Sequence, residues 1–216
     1  TCAVLDNASI YCWGGNYYGQ LGHGSWSRSY TPVAVSLPEN RTAISVSAGN
    51  EHTCAVLDNG SAYCWGYNQF GQLGDGSYLD GADAAPNRHT PVAVNLPDNR
   101  TAISVSAGYQ HTCAVLDNGS AYCWGENRGG QLGDGSHLGS NTPVAVSQSP
   151  SWTATSVSAG NGYTCGVFDD IYGRSNGSVF CWGENSRGQL GDGTFLNRNI
   201  PVEIYLGGTR LVATSI

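Results

Sequence analysis

The chain has no lysine and no methionine, and charged residues make up only 12% of its 216 positions. All nine basic residues are arginine, scattered singly among 16 acidic residues, and the net charge is −7. A nucleic-acid binder needs clustered positive charge to displace counterions, so DNA and RNA are excluded as partners. Anionic membrane surfaces are disfavoured for the same reason. Apolar residues come in short bursts, far below the roughly eighteen needed to cross a bilayer, so no membrane insertion is expected in this segment. There is no basic-plus-apolar leader and no initiator Met, and we read the chain as a mature or excised piece. Also missing are an EF-hand pattern and a serine, histidine and acid set that stands out, so the sequence nominates no catalytic residue, no metal site and no cofactor.

What the chain does contain is a block of about fifty residues, written four times. The second copy begins at His52 with HTCAVLDNGSAYCWGYNQFGQLGDGS, followed by TPVAV from Thr90 and TAISVSAG from Thr101. The third repeats this from His111, the first begins partway in at Thr1, and the fourth is the most divergent. The repeats fall at approximately 1–52, 53–111, 112–163 and 164–216 of one tandem-repeat region. Units of this length cannot bury an apolar face alone and must stack on their neighbours.

Each repeat carries one cysteine pair: Cys2 and Cys12, Cys54 and Cys64, Cys113 and Cys123, Cys165 and Cys181. In the second copy two β-prone runs flank Asp58-Asn59-Gly60, a turn with Gly60 in the left-handed position. That loop pairs Leu57 with Ser61, Val56 with Ala62, Ala55 with Tyr63, and Cys54 with Cys64. The cysteines then meet at a non-hydrogen-bonded pair, where side chains are closest. Each bridge would close a loop of about eleven residues, worth roughly 3 kcal/mol in the chain-entropy model. Free buried thiols and zinc remain the alternatives, although two-residue spacings are missing. An even count in register suggests an oxidising, extracellular or cell-surface setting. Asn7, Asn40, Asn59, Asn99, Asn118 and Asn176 each open an Asn-x-Ser/Thr triplet and are candidate glycan acceptors.

The glycine-rich stretch from Gly66 to Gly76 reads as a compact loop rather than a phosphate cradle, since no helix or lysine accompanies it. Residues 90–94 and 102–106 read as two further strands. Four short antiparallel strands per repeat, with no convincing helix, make the expected fold an all-β propeller of four-stranded blades.

Taken together, Ser106 to Gly108, His111, Trp124-Gly125, Asn127, Gly130 to Gly133, Gly135 and Pro143 to Val146 resemble the regulator of chromosome condensation repeat family. The likeness runs through all four copies. It implies a propeller that usually has seven blades, whereas four are present here, with cysteines where the family more often has an aliphatic and a small residue. Thr1 corresponds to Thr53 and Ile216 to Val46, leaving half a blade at each end. We expect an array cut from a longer one; copies meeting head to tail and closure of four blades are the alternatives. The fourth hairpin carries extra residues around 170–175, so its tip should be longer, and Ala8 replaces the turn glycine of the first.

His52 and His111 recur at one repeat position and are expected to be structural hydrogen-bonding residues. Asp75, Asp134 and Asp192 recur in Asp-Gly turns, and calcium held by Asp75, Asp80 and Asp83 is a minor alternative. Some plant relatives sense ultraviolet light through tryptophan clusters, but their Gly-Trp-Arg-His-Thr signature is missing here. Comparing the copies separates fixed from changing positions. Tyr17, Tyr18, Tyr67, Phe70, Arg128 and Arg187 fall at free positions of the glycine loop, and Trp26, Tyr30 and Tyr78 in the connector behind it. Aromatic and arginine residues at changing loop positions suit a partner surface. The expected function is a secreted or cell-surface, non-enzymatic propeller that binds a protein partner or further copies of itself, as an adhesin, fibre subunit or enzyme inhibitor. The resemblance also implies an alternative, guanine-nucleotide exchange on a Ran-type GTPase, which fits poorly with four cysteine pairs.

Overall fold

In the computed structural model, residues 1–77, 87–173 and 176–216 are described. Their architecture follows from the hairpin. Strands β5 (His52–Leu57) and β6 (Ala62–Gly66) pair with Val56 opposite Ala62, Ala55 opposite Tyr63 and Cys54 opposite Cys64, as the cysteine spacing predicts. The turn closes through Gly60 N–H donating to Leu57 O (2.8 Å) and Leu57 N–H to Ser61 O (2.9 Å), with Gly60 at φ +76°. All eight cysteines are bridged within their own hairpins, with Cα atoms 4.0–4.1 Å apart.

Outer strands complete each sheet. The second sheet adds β4 (Ala43–Ala48) and β7 (Arg88–Ala93) in the order β4-β5-β6-β7. The third comprises β8 (Ala102–Ala107), β9 (His111–Leu116), β10 (Ala121–Gly125) and β11 (Ser140–Ala145). The fourth comprises β12 (Trp152–Ala159), β13 (Tyr163–Asp170), β14 (Ser178–Gly183) and β15 (Arg198–Glu203). The first has three strands, β1 (Cys2–Val4), β2 (Ile10–Gly14) and β3 (Ser29–Ala34). All pairings are antiparallel, and no helix occurs among the described residues. In each four-stranded sheet the first strand precedes the repeat that supplies the other three, so the sheets interlock the repeats. The fourth hairpin is longer, with eight-residue β13 and a 16-residue separation between its cysteines. A two-stranded ribbon, Tyr205–Leu206 with Thr209–Arg210, turns on Gly207 and Gly208, both at positive φ. It was not anticipated, although Gly-Gly between short extended runs is a hairpin signal.

The cores lie between sheets, not within them. Strand alternation sends Cys54 and Val56 toward Ala114, Leu116 and Trp124 of the third sheet. It sends Ala55 and Leu57 toward Ile10, Cys12 and Leu21 of the first. All six β5 positions are buried for this reason. The third core repeats the pattern, with Cys113, Val115 and Leu132 against Phe168 and Trp182. A repeat therefore buries its faces only by stacking.

Gly60 is a sharp test of the turn. A Cβ there would stand 2.5 Å from Thr101 Cβ, in a left-handed conformation. Gly60→Ala is expected to lower unfolding free energy by at least about 1 kcal/mol in urea titration, and an unchanged midpoint would contradict the turn.

Candidate functional site

Alternating strand direction gives the molecule two ends. The β5–β6 type of hairpin and the sheet-to-sheet connectors share one end, where Arg41 meets Asp58 and Arg100 meets Asp117 at 3.6 Å. The glycine loops and the short turns between first and second strands share the other.

Each glycine loop is organised by one buried asparagine. Asn68 Oδ1 accepts from Leu73 N–H at 3.0 Å, and its Nδ2 donates to Ser77 O at 3.1 Å. Asn16, Asn127 and Asn185 make the same i to i+5 bond with Leu21, Leu132 and Leu190. Their presence in every copy was the available signal, but the sequence did not reveal their role. The Asp-Gly turns behave as expected: Asp75 accepts from Ser77, and Arg88 lies 3.2 Å from its carboxylate. Burial raises the pKa of Asp192, but bonds from Thr194, Arg198 and Asn185 outweigh this and hold it at about 2. Asp80 and Asp83 of the calcium alternative lie outside the described residues, and no metal-binding cluster occurs among the described ones.

The loop also joins sheets. Gln72 O accepts from Trp124 Nε1 at 2.9 Å and from Thr112 Oγ1 at 2.8 Å. The pattern recurs with Gln20, Trp65 and Thr53, and with Gln131, Trp182 and Thr164. Gly74 permits the approach, since a Cβ there would be 2.7 Å from Trp124 Nε1. Thr112 has one hydroxyl proton, already given to Gln72 O, so His52 Nε2 must be the donor in the 2.9 Å bond to Thr112 Oγ1. His111 bonds Thr164 in the same way at 2.8 Å. Both histidines are buried, and Nδ1 of each lacks a hydrogen-bond partner among the described residues. Burial, helped by nearby His111, depresses His52 to about 3, and burial depresses His111 to about 4. These histidines are structural and neutral.

On the outer surface of this end, Tyr17, Tyr18, Tyr67 and Phe70 form one row, with successive ring centroids 4.9, 4.6 and 6.3 Å apart. The row crosses from the first sheet's loop to the second's, and Tyr17 is 82% exposed. Beside it, Tyr109, Glu126, Arg128, Gln131, Asn161 and Glu184 line an open depression of about 370 Å³. Arg128 is 90% exposed and 3.8 Å from Glu126, while Arg187 is exposed one loop further on. Trp26 and Tyr30 do not join the row. Trp26 packs on His89 at 4.8 Å, and Tyr30 lies under Arg28 at 5.3 Å. Tyr78 lies outside the described residues. Sequence reasoning missed Glu51 and Tyr109, which occupy the two free positions between Ala-Gly and the next strand. Those positions also change between copies and carried the same signal.

All six sequon asparagines are exposed and lie at the opposite end. Asn7, Asn59 and Asn118 sit in hairpin turns, where Oδ1 accepts from the Ser9, Ser61 and Ser120 amides. Asn176 lies in the longer fourth turn. Asn40 and Asn99 occupy connectors at φ +59° and +60°. A Gly-x-Ser-x-Gly string at 173–177 falls in the β13–β14 turn, not in a strand-to-helix elbow.

The Regulator of chromosome condensation (RCC1) repeat matches residues 7–56, 59–115, 118–167 and 176–215. The chain belongs to this repeat family. It is 33% identical over 201 residues to the ultraviolet-B receptor UVR8 of Arabidopsis thaliana, covering 93% of this chain and 43% of that protein. It is 32% identical over 203 residues to the probable E3 ubiquitin-protein ligase HERC4 of Homo sapiens, covering 94% and 18%. Yeast RCC1 (Prp20), solved with Kap60, superposes at a TM-score of 0.79 with 22% identity, over 96% of this chain and 47% of that one. The chain thus spans less than half the length of these relatives, and the shared architecture is that of an RCC1-type β-propeller.

The neutral histidines set a pH dependence. Unfolded histidine titrates near 6.5, so the unfolded state takes up protons first as pH falls. The stability that His52 and His111 contribute is complete above about pH 6.5 and is lost toward pH 4 and 3. Urea midpoints should fall across this window in the wild type, and more shallowly in a His52→Gln/His111→Gln variant. Equal slopes would contradict the assignment.

Proposed function

We propose that the chain is a non-enzymatic, extracellular or cell-surface propeller module whose glycine-loop end binds a protein partner while its hairpin end carries N-linked glycans. The observation that carries this reading is the segregation of the two surfaces. Six exposed sequons occupy one end, and the aromatic row with its changing positions occupies the other. Sugars at Asn59 or Asn118 would leave Tyr17 and Tyr67 clear. The four bridges support an oxidising compartment, because cytosolic thiols are kept reduced. Six arginines lie within ion-pair distance of carboxylates among the described residues, which leaves little basic surface for a polyanion. A partner seated on rigid aromatic rings fits the usual anatomy of protein interfaces.

Fractionation of the native source tests the compartment. The protein should appear in the extracellular or surface fraction, show no reactive thiol until reduced, and lose mass on enzymatic removal of N-glycans. Recovery from cytosol with free thiols would overturn the proposal. For the surface, Tyr17→Ala/Tyr67→Ala should weaken partner binding at least about tenfold, as expected of aromatic anchors. An Asn59→Gln/Asn118→Gln variant should bind like the wild type, and the reverse pattern would place the partner on the wrong end.

A further inference from the structure

We infer that Glu51, with the rings of Tyr18, Tyr67 and Tyr109, forms a binding site for a cationic side chain, arginine or lysine, of the partner. The inference rests on the glycine-loop end being the partner surface and names the chemistry recognised there.

Backbone bonds bring these residues together from three sheets and fix their places. Tyr67 N–H donates to Glu51 O at 2.9 Å, which seats Tyr67 beside Glu51. Asn50 N–H donates to Gly108 O at 3.2 Å, which brings the neighbouring turn and Tyr109 alongside. Tyr18 reaches across from the first sheet to stack 4.6 Å from Tyr67. Glu51 is half-buried, and its carboxylate has no ion pair and no hydrogen bond among the described residues. This sets it apart from Asp58, Asp75, Asp117, Glu126, Asp192 and Glu203, each of which has an arginine within 4 Å. The Glu51 charge pushes the Tyr18 phenol upward. Burial pushes Tyr67 upward, with Tyr18, Glu51 and Tyr109 adding to it. These shifts agree with the geometry: an unneutralised carboxylate faces a ring cluster.

A cation would satisfy both parts at once. It would neutralise Glu51 and gain cation–π attraction from the rings, an interaction that grows as water is excluded. The chain's net charge of −7 draws a basic partner by long-range attraction. Neither lysine, which is missing from the sequence, nor any described arginine of the chain fills the place.

The test uses the whole chain and three short Gly-Ser peptides carrying one central arginine, lysine or citrulline, followed by NMR of the tyrosine ring signals. The arginine and lysine peptides should shift Tyr18, Tyr67 and Tyr109 saturably, and more weakly at high salt. Uncharged citrulline, nearly isosteric with arginine, should bind at least about tenfold more weakly. Glu51→Gln should lose the preference for arginine over citrulline while keeping the wild-type unfolding midpoint, and Glu126→Gln should keep the preference. Equal binding of arginine and citrulline peptides, or shifts elsewhere only, would overturn the site. If Tyr17→Ala/Tyr67→Ala still abolished partner binding in that event, the partner-surface reading would stand and only the cation site would fall.

Discussion

The joint between neighbouring sheets turns on one peptide oxygen, that of Gln20, Gln72 or Gln131, which accepts an indole N–H and a threonine hydroxyl from the next sheet. Each bond contributes only about 1 kcal/mol net, but a buried donor left unpaired costs about 1–3. The joint therefore acts mainly against wrong packings. An indole that misses this oxygen is left unsatisfied in a core where Trp65, Trp124 and Trp182 have no exposed surface. The surrounding sequence serves that geometry. Asn16, Asn68 and Asn127 hold the loop that aims the oxygen, Gly22, Gly74 and Gly133 admit the indole, and His52 and His111 lock the hydroxyl.

A fixed joint makes the two ends of the array different in kind. The glycine loops are committed to it by their buried atoms, so only their outward positions are free to change. Tyr17, Tyr18, Tyr67, Phe70, Arg128 and Arg187 occupy such positions, and a rigid scaffold beneath them lowers the ordering cost of binding. The hairpin ends are clamped by cystines and short turns, and their exposed asparagines face solvent.

Much of the hairpin was legible in the sequence, because turn chemistry and cysteine spacing both depend on local register. The pairing of Cys54 with Cys64 needed no information from other repeats. The joint was not legible, because its acceptor is a main-chain oxygen that every residue possesses. The tryptophans announced burial but not the partner of their N–H. Internal comparison found the aromatic residues of the surface, yet the Tyr18–Tyr67 contact depends on how adjacent sheets rotate. Trp26 and Tyr30 carried the same composition signal as Tyr17 and went elsewhere, since the connector runs along the outer strand. Glu51 escaped notice because its meaning lies in lacking a partner, which only three-dimensional neighbours reveal.

Hydrogen exchange of the six indole N–H groups, read by NMR, tests the joint most directly. The indoles of Trp65, Trp124 and Trp182 should exchange only with global or sub-global opening, while those of Trp13, Trp26 and Trp152, which make no such bond, exchange fast. Six indoles exchanging at similar rates, or a protected set that omits any of those three, would contradict the account.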